Sequence, residues 1–285
     1  MQNVHSKKWI DPEKDDRIKE RKEIEFQHEI QLAKNIREAN KIAREMGFQA
    51  DYSGIDIRAA NEWNVGLYNA KRDFPEVTKK IKFVGSSQKR NHLIRKAATK
   101  YYYESLISNG YPKKEAESAS KKLGRKIIGN VNSNEMASSI GLESIKGLPL
   151  GLKEAVSQYV GITMNDKYFD NYGRVIENGL RQVKSKWHPE GCFNVKATFD
   201  HEFAHQIDEH LEVGKNKTIQ KIFEDRTNEK ITHDLCRYAW DNDNPKKYSE
   251  MIAEGWSEYC NSKKPREMAT IIGEEIIKLW KKKNF

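Results

Sequence analysis

The stretch "TFDHEFAHQIDEH", residues 198 to 210, places His201 and His205 four positions apart with Glu202 directly after the first histidine. On an α-helix, side chains four apart stand one above the other, so both imidazoles can present a nitrogen to the same point. Glu202 lies about 100° around the helix, close enough to reach a water on a shared ion without displacing it. This HExxH spacing is the chemistry of a divalent cation with a carboxylate as general base.

A catalytic ion needs a third protein ligand and an open position. A continuation HExxHxxGxxH would require Gly at 208 and His at 211, where this chain has Asp208 and Leu211; His210 is one residue out of phase. Without the glycine turn that route is closed. The alternative is a carboxylate from a second helix. In "YSEMIAEGWSEYC", Glu250, Glu254 and Glu258 recur at intervals of four on one face. One can ligate the ion while the next supports a ligand histidine, with Glu254 competing with Glu250 for the ligand role under the same spacing. Asp208 is a further carboxylate that can orient a ligand, or a solvated helix residue.

These motifs have to be carried by helices, and the rest of the chain supplies them. "NVKATFDHEFAHQIDEHLEVG" reads as a helix stopping near Gly214, and its apolar Phe199, Phe203, Ala204 and Ile207 give it a face to bury. Residues 12 to 45 predict a long charged helix with sparse apolar positions, either a connector or docking arm or a helix packed on the body. A composition shift near residue 46 divides this arm, 1 to 45, from a domain spanning 46 to 285. Within that domain, residues 57 to 68 and 88 to 125 have helical spacing, and "YYYESLI" reads as core packing. "KIKFVGS" reads as a short strand ended by Gly85, and "GNVNSNEMASSIG" as a polar loop. "YVGITMNDKYF", with its β-branched and aromatic residues, predicts a strand near 160 to 169 whose edge is available. The expected class is α+β, mostly helical with a small sheet.

The pair "HEFAHQIDEH" and "YSEMIAEGWSEY" resembles the gluzincin-type metallopeptidase domains, the group that includes the catalytic domain of anthrax lethal factor and phage-encoded zincins that accompany head morphogenesis proteins. The likeness is strongest over residues 186 to 273, including "WHPEGC" and "KKPREMATIIGEEI", and is specific to the metal site rather than the substrate. It implies zinc held by His201, His205 and Glu250, Glu202 as base, and Glu254 as the carboxylate behind a ligand. It also implies a tyrosine donating to the oxyanion. "CRYAWDNDNPKKYSE" offers Tyr238 and Tyr248, and "RYA" points to Tyr238. A protein or peptide substrate bound in extended form follows from the same resemblance, with a phage head or other protein as partner for the amino-terminal helix. The second reading is a phage-associated structural protein in which zinc only stabilises the fold. Nickel or cobalt suits the same ligands.

Bulk properties set bounds around this site. The 285 residues carry 51 Lys and Arg against 42 Asp and Glu, a formal charge of +9, yet keep six Trp, twelve Tyr and ten Phe, enough for a real core. The basic residues, interspersed with acidic ones along the sequence and without an aromatic-basic motif, read as a solvated surface rather than a nucleic-acid site. No stretch approaches the roughly 18 consecutive apolar residues of a membrane span, and the start lacks a secretory signal. Three dispersed cysteines, Cys192, Cys236 and Cys260, fit a reducing compartment, so the expected location is the cytoplasm of a bacterial host or the virion. His188, His210 and His233 read as bystanders.

Overall fold

The computed structural model describes residues 32–132, 134–240 and 247–284, and its main compact unit runs from Lys34 to Phe285. The unit is mostly helical around one four-stranded sheet. Strands β1 (Gln49–Asp51), β2 (Phe83–Ser86), β3 (Ala137–Ile140) and β4 (Gly161–Met164) lie in the order β1-β2-β4-β3. The first three neighbours are parallel; β3 runs antiparallel to β4, with Ser138 opposite Thr163. This is an α+β arrangement.

Two expectations about the sheet are corrected. The segment "GNVNSNEMASSIG" contains strand β3 rather than only loop, and β4, expected to offer a free edge, is an interior strand. The edge is β3. Its serines hide the strand pattern because each is satisfied from a different layer: Arg90 donates to the Ser138 hydroxyl at 2.6 Å on one face, and Gln206 to the Ser139 hydroxyl at 2.6 Å on the other.

Helix α1 (Ile36–Glu45) begins afresh at Asn35, whose side chain accepts from the Glu38 N–H, so the helix expected over 12 to 45 is not continuous through residues 32–35. Residues 1–31, which hold most of the proposed arm, lie outside the described residues. Of the two readings left open for that segment, packing on the body applies to α1. Ala39 and Ala43 are buried, Asn64 donates to the Ala39 carbonyl at 3.0 Å, and the Asn40 side chain accepts from the Tyr52 N–H at 2.8 Å. The body therefore starts near Lys34, and a boundary at 46 would cut through these contacts.

The remaining helices are α2 (Ile57–Asp73), α3 (Pro75–Thr78), α4 (Ser87–Ser108), α5 (Lys113–Ile127), α6 (Leu150–Ser157), α7 (Asp166–Phe169), α8 (Tyr172–Lys184), α9 (Val195–Leu211), α10 (Lys217–Glu224), α11 (Asn228–Asp234), α12 (Ser249–Asn261) and α13 (Glu267–Asn284). Helix α9 is the central one. Its Phe199 ring meets Trp63 edge-on at 5.2 Å and sits directly against Gly66 of α2, while Phe203 packs on Phe74 at 5.9 Å. Burying each of these phenylalanines contributes about 1.5–3 kcal/mol and fixes which face of α9 is left for polar work. Tyr101 and Tyr102 of the "YYY" run pack on a smaller cluster of Ile94, Ala98, Leu152 and Val156.

Helices α12 and α13 pack with reciprocal close approaches. A Cβ on Gly255 would lie 2.4 Å from Ile272 Cδ1, and one on Gly273 would lie 2.3 Å from the Tyr259 ring. No helix among the described residues is long and apolar enough to cross a membrane.

Candidate metal centre

Asn194 caps α9 by accepting from the Ala197 N–H, and the helix ends at Leu211 with Glu212 in the left-handed conformation, three residues before the glycine expected to stop it. Over that length the helix turns Phe199, Phe203 and Ile207 into the core and His201 and His205 toward α12. The two imidazole centroids are 5.0 Å apart. Glu250, near the start of α12, comes between them: its Oε2 is 3.3 Å from His201 Nε2 and 3.7 Å from His205 Nε2. One donor atom from each of the three residues lies within 4.8 Å of the others.

These separations suit an ion. With bonds of about 2.0–2.1 Å, a tetrahedral zinc places neighbouring donors about 3.4 Å apart. The imidazoles are also held at their other nitrogens. His201 Nδ1 faces Glu254 Oε1 at 3.1 Å, and His205 Nδ1 faces the Ser249 hydroxyl at 2.9 Å. Anchoring Nδ1 fixes ring orientation and leaves Nε2 for the centre, the usual division of labour for a ligating histidine. Two imidazoles and a carboxylate are the donor set of a zinc-type site, so the residues fit the group.

The three glutamates of α12, identical in spacing, do three different things. Glu250 faces the two Nε2 atoms. Glu254 is almost wholly buried and receives both His201 and His188, the latter at 2.9 Å on the same oxygen. Burial alone would raise its carboxyl, but the two imidazoles reverse this and hold it at about 2. Glu258 is fully buried and meets neither imidazole. It grips Arg266 instead, whose guanidinium also donates to the carbonyls of His233 and Leu235. That strut fixes the loop leading to Tyr238.

Glu202 is buried, and in this ion-free arrangement burial pushes its carboxyl up to about 8; His201 opposes the shift, and Glu250 and Glu135 add to it. Burial costs the imidazolium of His201, but the Glu254 and Glu250 carboxylates outweigh that cost and its proton affinity is raised. A divalent cation would lower both.

Tyr238 is held by its backbone N–H donating to the Trp187 carbonyl at 3.1 Å. Its ring stacks on His201 with centroids 6.0 Å apart and meets His188 at 5.7 Å. Burial, then the nearby Glu250 and Glu202 carboxylates, push its hydroxyl well above the ordinary range, so it stays a donor. Tyr248, the other tyrosine considered, bonds Glu224 instead.

His201, Glu202, Glu250, Glu254, Tyr238 and His188 line one cavity of about 710 Å³, which Glu135, Met136 and Ala137 bound at the β3 end. Asp208, expected to support a ligand, accepts from the Gly214 N–H at 2.8 Å, which ties down the turn after α9. His188, read as a bystander from the sequence, instead holds Glu254 and lines the cavity, and Ser249 was passed over; the only signal for the first was its place in "WHPEGC", and for the second its place beside Glu250. His210 and His233 do not line the cavity. The three cysteines are free thiols, Cys192 and Cys236 buried.

No family model, curated protein or solved structure matches this chain.

Proposed function

We propose that the protein is a zinc-dependent endopeptidase of the gluzincin type. The observation that carries this reading is the convergence of His201 Nε2 and His205 Nε2 on the Glu250 carboxylate, with both Nδ1 atoms anchored and a cavity in front. His201, His205 and Glu250 hold the ion, which supplies Lewis acidity toward a carbonyl and toward water.

The chain's own residues account for the rest. Glu202, buried on the cavity wall next to His201, takes the proton of the attacking water and returns it to the leaving amine. The Tyr238 hydroxyl donates to the developing oxyanion. Strand β3 ends the sheet beside the cavity, so one side of its backbone has no strand partner among the described residues. An extended peptide adds there as a further strand, which brings its carbonyl over the centre. This moves the substrate edge from the 160–169 segment to Ala137–Ile140.

The test is metal analysis of the purified protein together with a cleavage screen on a peptide library. E202Q is expected to keep its metal and lose about 100- to 10,000-fold in cleavage rate. Undiminished cleavage by E202Q, or a protein that takes up no divalent ion, overturns the reading.

A further inference from the structure

Helices α4 and α5 are joined by four residues and pack side by side, so close that a Cβ on Gly124 would lie 2.3 Å from the Thr99 hydroxyl. From Ser87 to Ile127 the chain has eleven Lys and Arg against only Glu104, Glu115 and Glu117, a charge of +8 when the whole chain carries +9. Eleven of the 51 basic residues are on this hairpin, but because the other forty are nearly balanced by acidic residues, most of the net positive charge is there.

Where α4 and α5 diverge there is a recess of about 740 Å³ walled by Arg95, Lys96, Lys121 and Arg125, with Thr99 and Asn130 between them and no carboxylate. A second recess of about 340 Å³ shares Lys121 and Arg125 and extends to Lys114 and Lys122, with Glu117 its one acidic wall. Among the described residues Lys96, Lys114, Lys121, Lys122 and Arg125 enter no ion pair. Some other exposed lysines do: Lys100 of α4 pairs with Glu104 at 3.8 Å, Lys230 with Asp234 at 2.7 Å and Lys278 with Glu275 at 2.9 Å. Leaving neighbouring cations without counter-charges costs self-repulsion, which a polyanion removes.

The shape and chemistry select among polyanions. The recesses are lined by charged and polar residues, with no large apolar side chain to enter a bilayer. No Phe, Tyr or Trp lines them, so an unpaired base finds no stacking platform, whereas a duplex keeps its bases stacked internally. From Lys114 to Arg125, α5 runs about 16 Å, a length that follows about five successive phosphates of one strand. Arg95 and Arg125 present fork-shaped donors that match phosphate oxygens.

We infer that the α4–α5 groove binds the sugar–phosphate backbone of double-stranded nucleic acid without reading its sequence. The inference is independent of the metal centre. Four cations on phosphates give a slope of log K against log salt near −3.6, roughly a 100-fold loss of affinity between 50 and 200 mM salt.

The experiment is fluorescence anisotropy of the full chain with labelled duplex DNA and duplex RNA of about 20 base pairs. Binding to either duplex with that salt dependence is expected, and which duplex binds identifies the source of the phosphates. K121A/R125A should reduce the slope by about 2 and weaken binding tenfold or more at low salt. K230A/K278A, which removes the same charge from paired lysines, should leave binding unchanged. Failure of both duplexes to bind, an equal loss in the two double variants, or equally good competition by polyglutamate or anionic vesicles overturns the inference.

Discussion

Among the described residues, the α9–α12 face and the α4–α5 hairpin are two places that concentrate charge, and they do so in opposite ways. Between α9 and α12 the charged groups are buried, alternate acid with imidazole, and hold one another within 2.9 to 3.7 Å. On the hairpin they are mostly exposed and mostly cationic, and Lys96, Lys114, Lys121, Lys122 and Arg125 enter no ion pair among the described residues. Burying a charge is expensive unless its partners are fixed, so the first region has a geometry that tolerates little change. Exposed cations lose almost nothing to solvent and keep their freedom, so the second is defined by its field rather than by atomic positions. A site for an ion and a site for a long polyanion call for those two solutions respectively.

That contrast predicts an order of effects. E258Q removes the carboxylate from the buried pair with Arg266 and should lower unfolding free energy by about 3 kcal/mol, read from a urea titration. A loss near zero would mean that buried charge on α12 is not structural. E254Q should weaken metal affinity about 10- to 100-fold in a chelator competition, and H188Q, one contact further out, by about tenfold or less. Should H188Q have the larger effect, the bracing would run through His188 rather than Glu254. For K121A/R125A, by contrast, the same urea titration should move by no more than about 0.5 kcal/mol, because nothing there is buried or paired.

The smallest effect concerns a partly buried charge whose partner, Arg58, is exposed. Asp56 caps α2, and the Arg58 side chain, opposed by partial burial and joined by the Tyr172 and Arg58 N–H groups, lowers it from 3.8 to about 2. A carboxylate lowered on folding stabilises above its unfolded pKa, and that contribution disappears as pH falls from about 4 through about 2. Solvent screening keeps it below about 1 kcal/mol, so D56N should flatten the acid limb of a pH–stability curve only slightly.

The convergence of His201, His205 and Glu250 was largely legible in the sequence because its parts sit on two helices, where spacing of four translates directly into position. What spacing could not do was rank three equivalent glutamates: only their neighbours across the fold, the imidazoles and Arg266, separate Glu250, Glu254 and Glu258. The sheet edge was misplaced for the same reason. Strand order is a long-range property, and the partners that satisfy Ser138 and Ser139 are 48 and 67 residues away. His188 braces Glu254 from 66 residues away. The charge excess of residues 87–127 stands in the linear chain, but the groove does not, because Arg95 and Lys96 join Lys121 and Arg125 only once α4 folds back on α5. Periodicity reports what a helix can present; it does not report what comes to meet it.

The reciprocal glycines of α12 and α13 have a consequence for the site at the other end of α12. Ile272 over Gly255 and Tyr259 over Gly273 act as two opposed pins, and sliding or rolling either helix would drive a pin into backbone. The helix that carries Glu250 is thereby keyed to a single axial setting. Two missing methyl groups work as the alignment marks of the site, and a side chain added at either should shift Glu250 against a helix that does not follow it.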